Sequence, residues 1–150
     1  MKENQNLFRD LQEDFRKMKK NLLVAQSGGP TAAINATLAG VIKQAIKEEQ
    51  IDQVYGACYG IQGVLEQKFV NLTEKVDTEE KLEKLKRTPA AALGSCRFKL
   101  NDIKEDDSQY QEIVDILHKM NIGYFVYIGG NDSMDTVHKL AGFCERMRID

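Results

Sequence analysis

Three observations predict an α/β fold, a mostly parallel sheet with helices on both faces. Short apolar runs alternate along the chain with stretches of helical period. Two of the strand-to-helix junctions carry a glycine pair, Gly28-Gly29 and Gly129-Gly130. The 150 residues, 42% hydrophobic and 29% charged, suit one globular domain. A chain of that size buries roughly 70% of its unfolded surface.

In chain order, residues 1–20 read as an amphipathic helical extension, with Leu7, Leu11, Phe15 and Met18 on one face. It carries acids as well as bases, which favours docking on its own domain or another subunit over a membrane anchor. Residues 21–26 (NLLVAQ) read as the first core strand. A turn, Ser27-Gly28-Gly29-Pro30-Thr31, leads into a helix whose apolar face is Ile34, Leu38, Val41, Ile42, Ala45 and Ile46. Asn35 reads there as a polar position facing solvent. Gln53–Tyr59 is a second strand interrupted by Gly56, Gly60 and Gly63 bracket a turn or short helix, and Phe69–Leu72 is a short strand. Thr78–Arg87 is a charged helix with a solvated face. Residues 88–100 form a loop of small residues with Gly94, Ser95 and Arg97, and residues 101–107 are an acidic surface stretch. Gln109–Met120 is an amphipathic helix with Ile113, Val114, Ile116 and Leu117 inward. Tyr124–Ile128, uncharged, aromatic and β-branched, reads as a buried strand. After it come Gly129 and Gly130, then Asn131, Asp132 and Ser133, all good N-cap types. A helix follows from Met134, with Met134, Val137, His138, Leu140 and Ala141 at helical spacing. No internal repeat, linker or low-complexity stretch is evident.

Several function classes are disfavoured. A net charge of −2 gives no global field that draws the protein to nucleic acid or a membrane. No segment has the length of an apolar span, and the N-terminus has no signal-peptide core. Cys58, Cys96 and Cys144 are far apart with no CxxC pair, so free thiols in a reducing cytoplasm are expected. His118 and His138 sit on predicted helices without paired ligands and receive no catalytic role. The Walker A and GxGxxG patterns are absent, which argues against a P-loop NTPase and a dinucleotide fold.

The glycine turns carry the chemistry. Each follows a strand and opens a helix, where backbone N–H groups point outward and an anion binds well. In a parallel sheet both turns lie at the carboxyl-end edge and can face one cleft, although far apart in sequence. Arg97 can add a charge-assisted bond to phosphate oxygens. Asp132 or Asp135 can hold Mg²⁺ directly or through water. Together these suit phosphoryl transfer, in which positioning and charge neutralisation do most of the catalysis. The plainer alternatives are a surface ion pair for Arg97 and a helix cap for Asp132.

Four segments in register resemble the phosphofructokinase family. LLVAQSGGPTAAINATLAGVI resembles its opening strand–SGG–helix, with Asn35 at the family's asparagine. ACYGIQGVLEQKFVNLT resembles the stretch after its second strand. LGSCRF resembles its G-S-x-R loop, and GYFVYIGGNDSMDT its G-G-D-G/D turn. The resemblance covers about residues 21–146. It implies a Rossmann-like three-layer sandwich that phosphorylates fructose 6-phosphate at its 1-hydroxyl, giving fructose 1,6-bisphosphate in glycolysis, with Mg²⁺ and either ATP or pyrophosphate. Gly28, Gly29, Arg97, Gly130, Asp132 and Ser133 are the implied donor-binding residues, and Asn131 and Asp132 the implied metal contacts. The NAD and lipid kinases share a G-G-D-G turn but not the SGG–helix and G-S-x-R segments.

The residue after G-G-D separates two branches of the family. ATP users have glycine there, and pyrophosphate users have aspartate, as Asp132 does here. A carboxylate about 4 Å from a third phosphate costs roughly 4 kcal/mol at an effective dielectric near 20. Pro30, where ATP users usually have aspartate, points to the same branch. Asn131 departs from the family's usual aspartate, keeping an oxygen but losing the charge. The family's catalytic base lies in a T-I-D-N-D motif that residues 1–150 do not contain. The expectation is therefore an extension over residues 1–20, then the N-terminal, donor-binding part of the enzyme over residues 21–150. That part lacks the second domain and the base, and the full-length enzyme is a homo-oligomer whose neighbouring subunits lend arginines to the sugar-phosphate site. Two alternatives stand beside the pyrophosphate enzyme: an ATP-dependent 6-phosphofructokinase, and a non-catalytic phosphate-binding or assembly module.

Overall fold

Strand β1 (Lys20–Gln26) is the axis of the molecule. Its last five residues are buried, as a strand covered on both faces requires. The computed structural model describes residues 2–29 and 31–149, and within them all side chains except those of residues 2–4, 8, 15–17 and 32. The expectations for Phe15 and Pro30 lie outside that set.

The elements follow in the order α1 (Lys2–Met18), β1, α2 (Ala32–Ala45), β2 (Ile51–Ala57), α3 (Gly60–Leu65), β3 (Phe69–Asn71), α4 (Leu72–Lys75), α5 (Glu79–Lys86), α6 (Ser108–Lys119), β4 (Ile122–Ile128) and α7 (Asn131–Met147). The sheet order is β3-β2-β1-β4. β1 is parallel to β2 and to β4, and only β3 runs antiparallel. The chain leaves β1 toward β2 on one side and returns to β4 on the other. The crevice beyond the carboxyl ends of β1 and β4 is thus a topological switch point, where α/β sheets bind ligands.

Side chains of a strand alternate between faces, so β1 feeds two cores. Leu23 and Ala25 join Ile61, Val64, Tyr110, Ile113, Val114, Leu140 and Phe143 on the α3–α6–α7 face. Leu22 and Val24 join Leu38, Ile42, Val54, Leu72 and Leu82 on the α2–α5 face. Helices therefore cover both faces of a mostly parallel sheet, in agreement with the fold class read from the sequence.

Several details differ from the expectations. Asn35 does not face solvent; it is fully buried. Ile46, assigned to the apolar face of α2, is 49% exposed at the helix end. The second strand ends at Ala57, because Tyr59 takes a left-handed conformation (φ 64°) at the start of α3. The single turn α4 is too short to show a helical period. β4 is an edge strand of the described sheet, so Tyr124 is exposed rather than buried. α7 begins at Asn131, three residues before the apolar spacing suggests. Its inward line is Ser133, Thr136, Leu140 and Phe143, which turns Met134, His138 and Ala141 outward. The described apolar side chains of α1, Leu7, Leu11 and Met18, are each at least half exposed and do not bury against the domain. Among the described residues no helix is long and apolar enough to cross a membrane, and Cys58, Cys96 and Cys144 are free thiols.

Candidate functional site

The site begins where β1 and β4 end side by side. Gln26 pairs with Ile128 in parallel register, and the Ser27 amide donates to the Ile128 carbonyl at 2.8 Å. The two glycine turns that follow are in contact. A Cβ on Gly28, which has φ +86°, would stand 3.4 Å from the Gly130 nitrogen. A Cβ on Gly129 would run into Ser133 Oγ and the Ser27 carbonyl. Glycine is thus required at both positions, at one by its positive φ and at the other by close approach. Gly29 and Gly130 instead face open space, with nothing within 4 Å of an added Cβ.

Gly28, Gly29, Arg97, Gly130, Asn131, Asp132 and Ser133 all line one cavity of about 910 Å³. Asp135 does not line it; its carboxylate is bound by Lys139 at 2.7 Å. Neither histidine lines it.

The two helix starts at the cavity have no side-chain cap. α7 has Gly130 at its N-cap and no side-chain cap. α2 has Thr31 at its N-cap and none either. First-turn N–H groups have no intrahelical partner, so uncapped ends present donors to a ligand. Asp132 is therefore not a cap. It lies in the first turn of α7, its backbone carbonyl accepting from the Thr136 hydroxyl at 2.9 Å. Its carboxylate stands 3.7 Å from Lys99 Nζ. Ser133 Oγ is buried against Gly129 and has no hydrogen-bond partner. Such an orphan hydroxyl at a cavity wall is ready to bond a ligand oxygen.

The third wall is the loop from Thr88 to Leu100, and a buried amide pair sets its course. Gln26 and Asn35 are both fully buried, and Gln26 Nε2 donates to Asn35 Oδ1 at 3.0 Å. Asn35 Nδ2 donates to the carbonyls of Thr88, at 2.7 Å, and Ala90. Asn35 Oδ1 accepts from the Ala92 amide and Gln26 Oε1 from the Leu93 amide, each at 2.9 Å. Every polar group of the pair is used, so the root of the loop is fixed. Further along, Ser95 Oγ donates to the Gly28 carbonyl at 2.9 Å. Arg97 then projects at the cavity, exposed, and among the described residues it has no carboxylate partner. The surface ion pair considered for Arg97 is not formed.

Tyr127 closes the cavity floor. Its hydroxyl accepts from the Ile61 amide at 3.1 Å. Burial pushes its pKa above the ordinary tyrosine value, against the opposing bonds from Ser27 and Ile61. It stays a neutral phenol at physiological pH. Two cations, Arg97 and Lys99, thus face one carboxylate, Asp132, across the cavity. Gln26, Asn35, Ser95, Lys99 and Tyr127 were not singled out from the sequence as site residues. Asn35 and Ser95 lie in segments that resemble the family, which was the one signal for them.

No group of three or more histidine, cysteine, aspartate or glutamate side chains that could hold a metal is present among the described residues. The protein alone offers no metal cage. The oxygens of Asn131 and Asp132 at the cavity do fit Mg²⁺, which binds through one or two protein oxygens with the remainder from phosphates and water.

Fold and site together define an α/β domain with a cleft bounded by two glycine turns and an arginine-bearing loop. Residues 21–149 match the phosphofructokinase family model, and the chain belongs to that family. It is 44% identical over 119 residues to the pyrophosphate–fructose 6-phosphate 1-phosphotransferase of Rhodospirillum rubrum, covering 79% of this chain and 28% of that protein. It is 40% identical over 128 residues to the protein of the same name from Halomonas elongata, covering 85% and 30%. The crystal structure of a pyrophosphate-dependent phosphofructokinase from Nitrosospira multiformis superposes with a TM-score of 0.77 at 36% identity, covering 85% of this chain and 31% of that one. The chain thus spans under a third of the length of these relatives.

Proposed function

We propose that this chain forms the phosphoryl-donor half of a pyrophosphate-dependent fructose 6-phosphate 1-phosphotransferase. The observation that carries the proposal is the meeting of two uncapped glycine turns under an unpaired arginine, with an orphan hydroxyl in the wall. In this reading the first-turn amides of α7 and Ser133 Oγ bond donor oxygens. Gly29 and Gly130 leave room for the phosphates to approach the backbone. Arg97 neutralises charge on the transferring group, which moves to the 1-hydroxyl of fructose 6-phosphate and leaves inorganic phosphate behind. Mg²⁺, held by Asn131 and Asp132 with donor oxygens, supplies further charge neutralisation. Among the described residues Asp132 is the one carboxylate at the cavity, and it serves donor choice rather than proton removal. The base is assigned to a T-I-D-N-D motif, so the 150-residue chain binds donor without turnover. Cytoplasmic location and homo-oligomeric assembly belong to the same proposal, supported by the family and the free thiols.

Asp132 governs the donor by repelling a third phosphate. Its side chain is 79% exposed, so water screens that repulsion heavily. The cost lies nearer the bulk-water value of about 1 kcal/mol at 4 Å, a roughly fivefold bias, than the several hundredfold of a desolvated site. An ATP-dependent enzyme is the second reading, favoured by the cavity volume of about 910 Å³, which exceeds what pyrophosphate fills. Calorimetric titration of the chain with pyrophosphate and with ATP, both with Mg²⁺, separates them. Pyrophosphate is expected to bind more tightly, and Asp132→Gly to improve ATP binding roughly fivefold. Tighter binding of ATP by the unsubstituted chain would overturn the donor assignment.

A further inference from the structure

An aspartate at the mouth of a phosphate cleft poses a problem. Its carboxylate repels every anionic donor, the one it admits as well as the one it excludes. Mg²⁺ would supply part of the countercharge in the reading above, and a side-chain cation beside the carboxylate would supply more.

Lys99 is placed to supply it. Its ammonium stands 3.7 Å from Asp132 Oδ1, and both side chains line the cavity. The two are 77% and 79% exposed. A pair that long and that exposed contributes almost nothing to folding, so stability does not account for it. The loop that carries Lys99 crosses both glycine turns. Ser95 ties it to the Gly28 carbonyl, Arg97 projects into the cavity, and Lys99 reaches the first turn of α7. Lys99 and Arg97 have different partners. Arg97 has no carboxylate among the described residues and is free for a bidentate phosphate contact. Lys99 is a compact point charge that can face Asp132 and a donor oxygen together.

We propose that Lys99 is a donor-contacting residue coupled to Asp132: its ammonium neutralises that carboxylate and bonds the second phosphoryl group of pyrophosphate. This rests on the pyrophosphate reading above. Loss of Lys99 removes a contact and also uncovers a negative charge toward the donor. The penalty must then shrink once the carboxylate is gone.

The test is a double-mutant cycle on the 150-residue chain, read by calorimetric titration with pyrophosphate in Mg²⁺ buffer. Lys99→Met is expected to weaken binding about tenfold, and in the Asp132→Gly background only about two- to threefold. Lys84→Met, on exposed α5 away from the cavity, gives the scale of the general charge effect and is expected to leave affinity unchanged. Arg97→Met reports on the donor site itself. Loss with Arg97→Met and none with Lys99→Met overturns the role of Lys99 while the donor site stands. An equal penalty for Lys99→Met in both backgrounds overturns the coupling. A Lys84→Met penalty as large as that of Lys99→Met reduces the effect to net charge and also overturns it. No pyrophosphate binding by the unsubstituted chain sinks the donor-site reading and this proposal with it.

Discussion

Two sets of helix starts in this domain are built on opposite rules. Away from the cleft, the starts of α4, α5 and α6 each receive a side-chain oxygen. The Glu74 amide donates to Asn71 at α4, and the Lys81 amide to Thr78 at α5. The Ser108 amide donates to the Asp106 carboxylate at α6. The two helices that follow the glycine turns, α2 and α7, have no side-chain cap. Helix ends without a protein partner call for water or ligand. The difference separates capped helix starts in the scaffold from uncapped ones at the cleft. It does so without reference to any relative.

The Thr88–Leu100 loop joins the two regions, satisfied at its root and open at its tip. The largest effect is therefore expected from cutting the root. Asn35→Leu leaves the Thr88 and Ala90 carbonyls and the Ala92 amide without their partner, and Gln26 Nε2 with the Ile34 carbonyl alone. A loss of about 3 kcal/mol in urea-unfolding stability is expected, because several buried groups become unsatisfied together. Pyrophosphate binding should fall as well, since Arg97 loses its fixed approach. Unchanged binding in a destabilised protein would show that the loop tip is held by other contacts.

A smaller effect tests the capped region. Thr78→Ala removes the acceptor for the Lys81 amide at 3.3 Å, on an exposed helix on the α2 side of the sheet. About 1 kcal/mol of stability should be lost, with pyrophosphate affinity unmoved. Any loss of affinity here would mean that scaffold and cleft are not separate.

The sequence shows the scaffold better than the cleft, for a physical reason. Periodicity reports which side chains avoid water, so α2, α6 and the strands are legible from their apolar spacing. At the cleft the same signal misleads. The inward line of α7 includes Ser133 and Thr136, polar residues buried beside a glycine turn, and the apolar Met134 points outward. Asn35 reads as a solvent-facing amide because nothing local to a helix shows that a loop more than fifty residues later needs its hydrogen bonds. The glycine pairs and Arg97 are legible because their chemistry is local: backbone donors and a fixed positive charge. The roles of Lys99 and Ser95 become visible only when tertiary structure brings the loop across both turns.

The smallest expected stability change is the most telling complement to Thr78→Ala. Ser133 Oγ is buried with no partner, so the folded protein gains no hydrogen bond from it. Ser133→Ala removes an unsatisfied polar atom and should change stability by less than about 0.5 kcal/mol, with slight stabilisation the natural direction. If the hydroxyl instead waits for a donor oxygen, pyrophosphate binding should weaken by at least about tenfold, the worth of one hydrogen bond to a charged group. Thr78→Ala then costs stability and spares binding, and Ser133→Ala does the reverse. Thermal unfolding and calorimetric titration of the two variants side by side check this. A Ser133→Ala protein that loses more than about 1 kcal/mol of stability would place that hydroxyl in the scaffold, and α7 would join the capped helices.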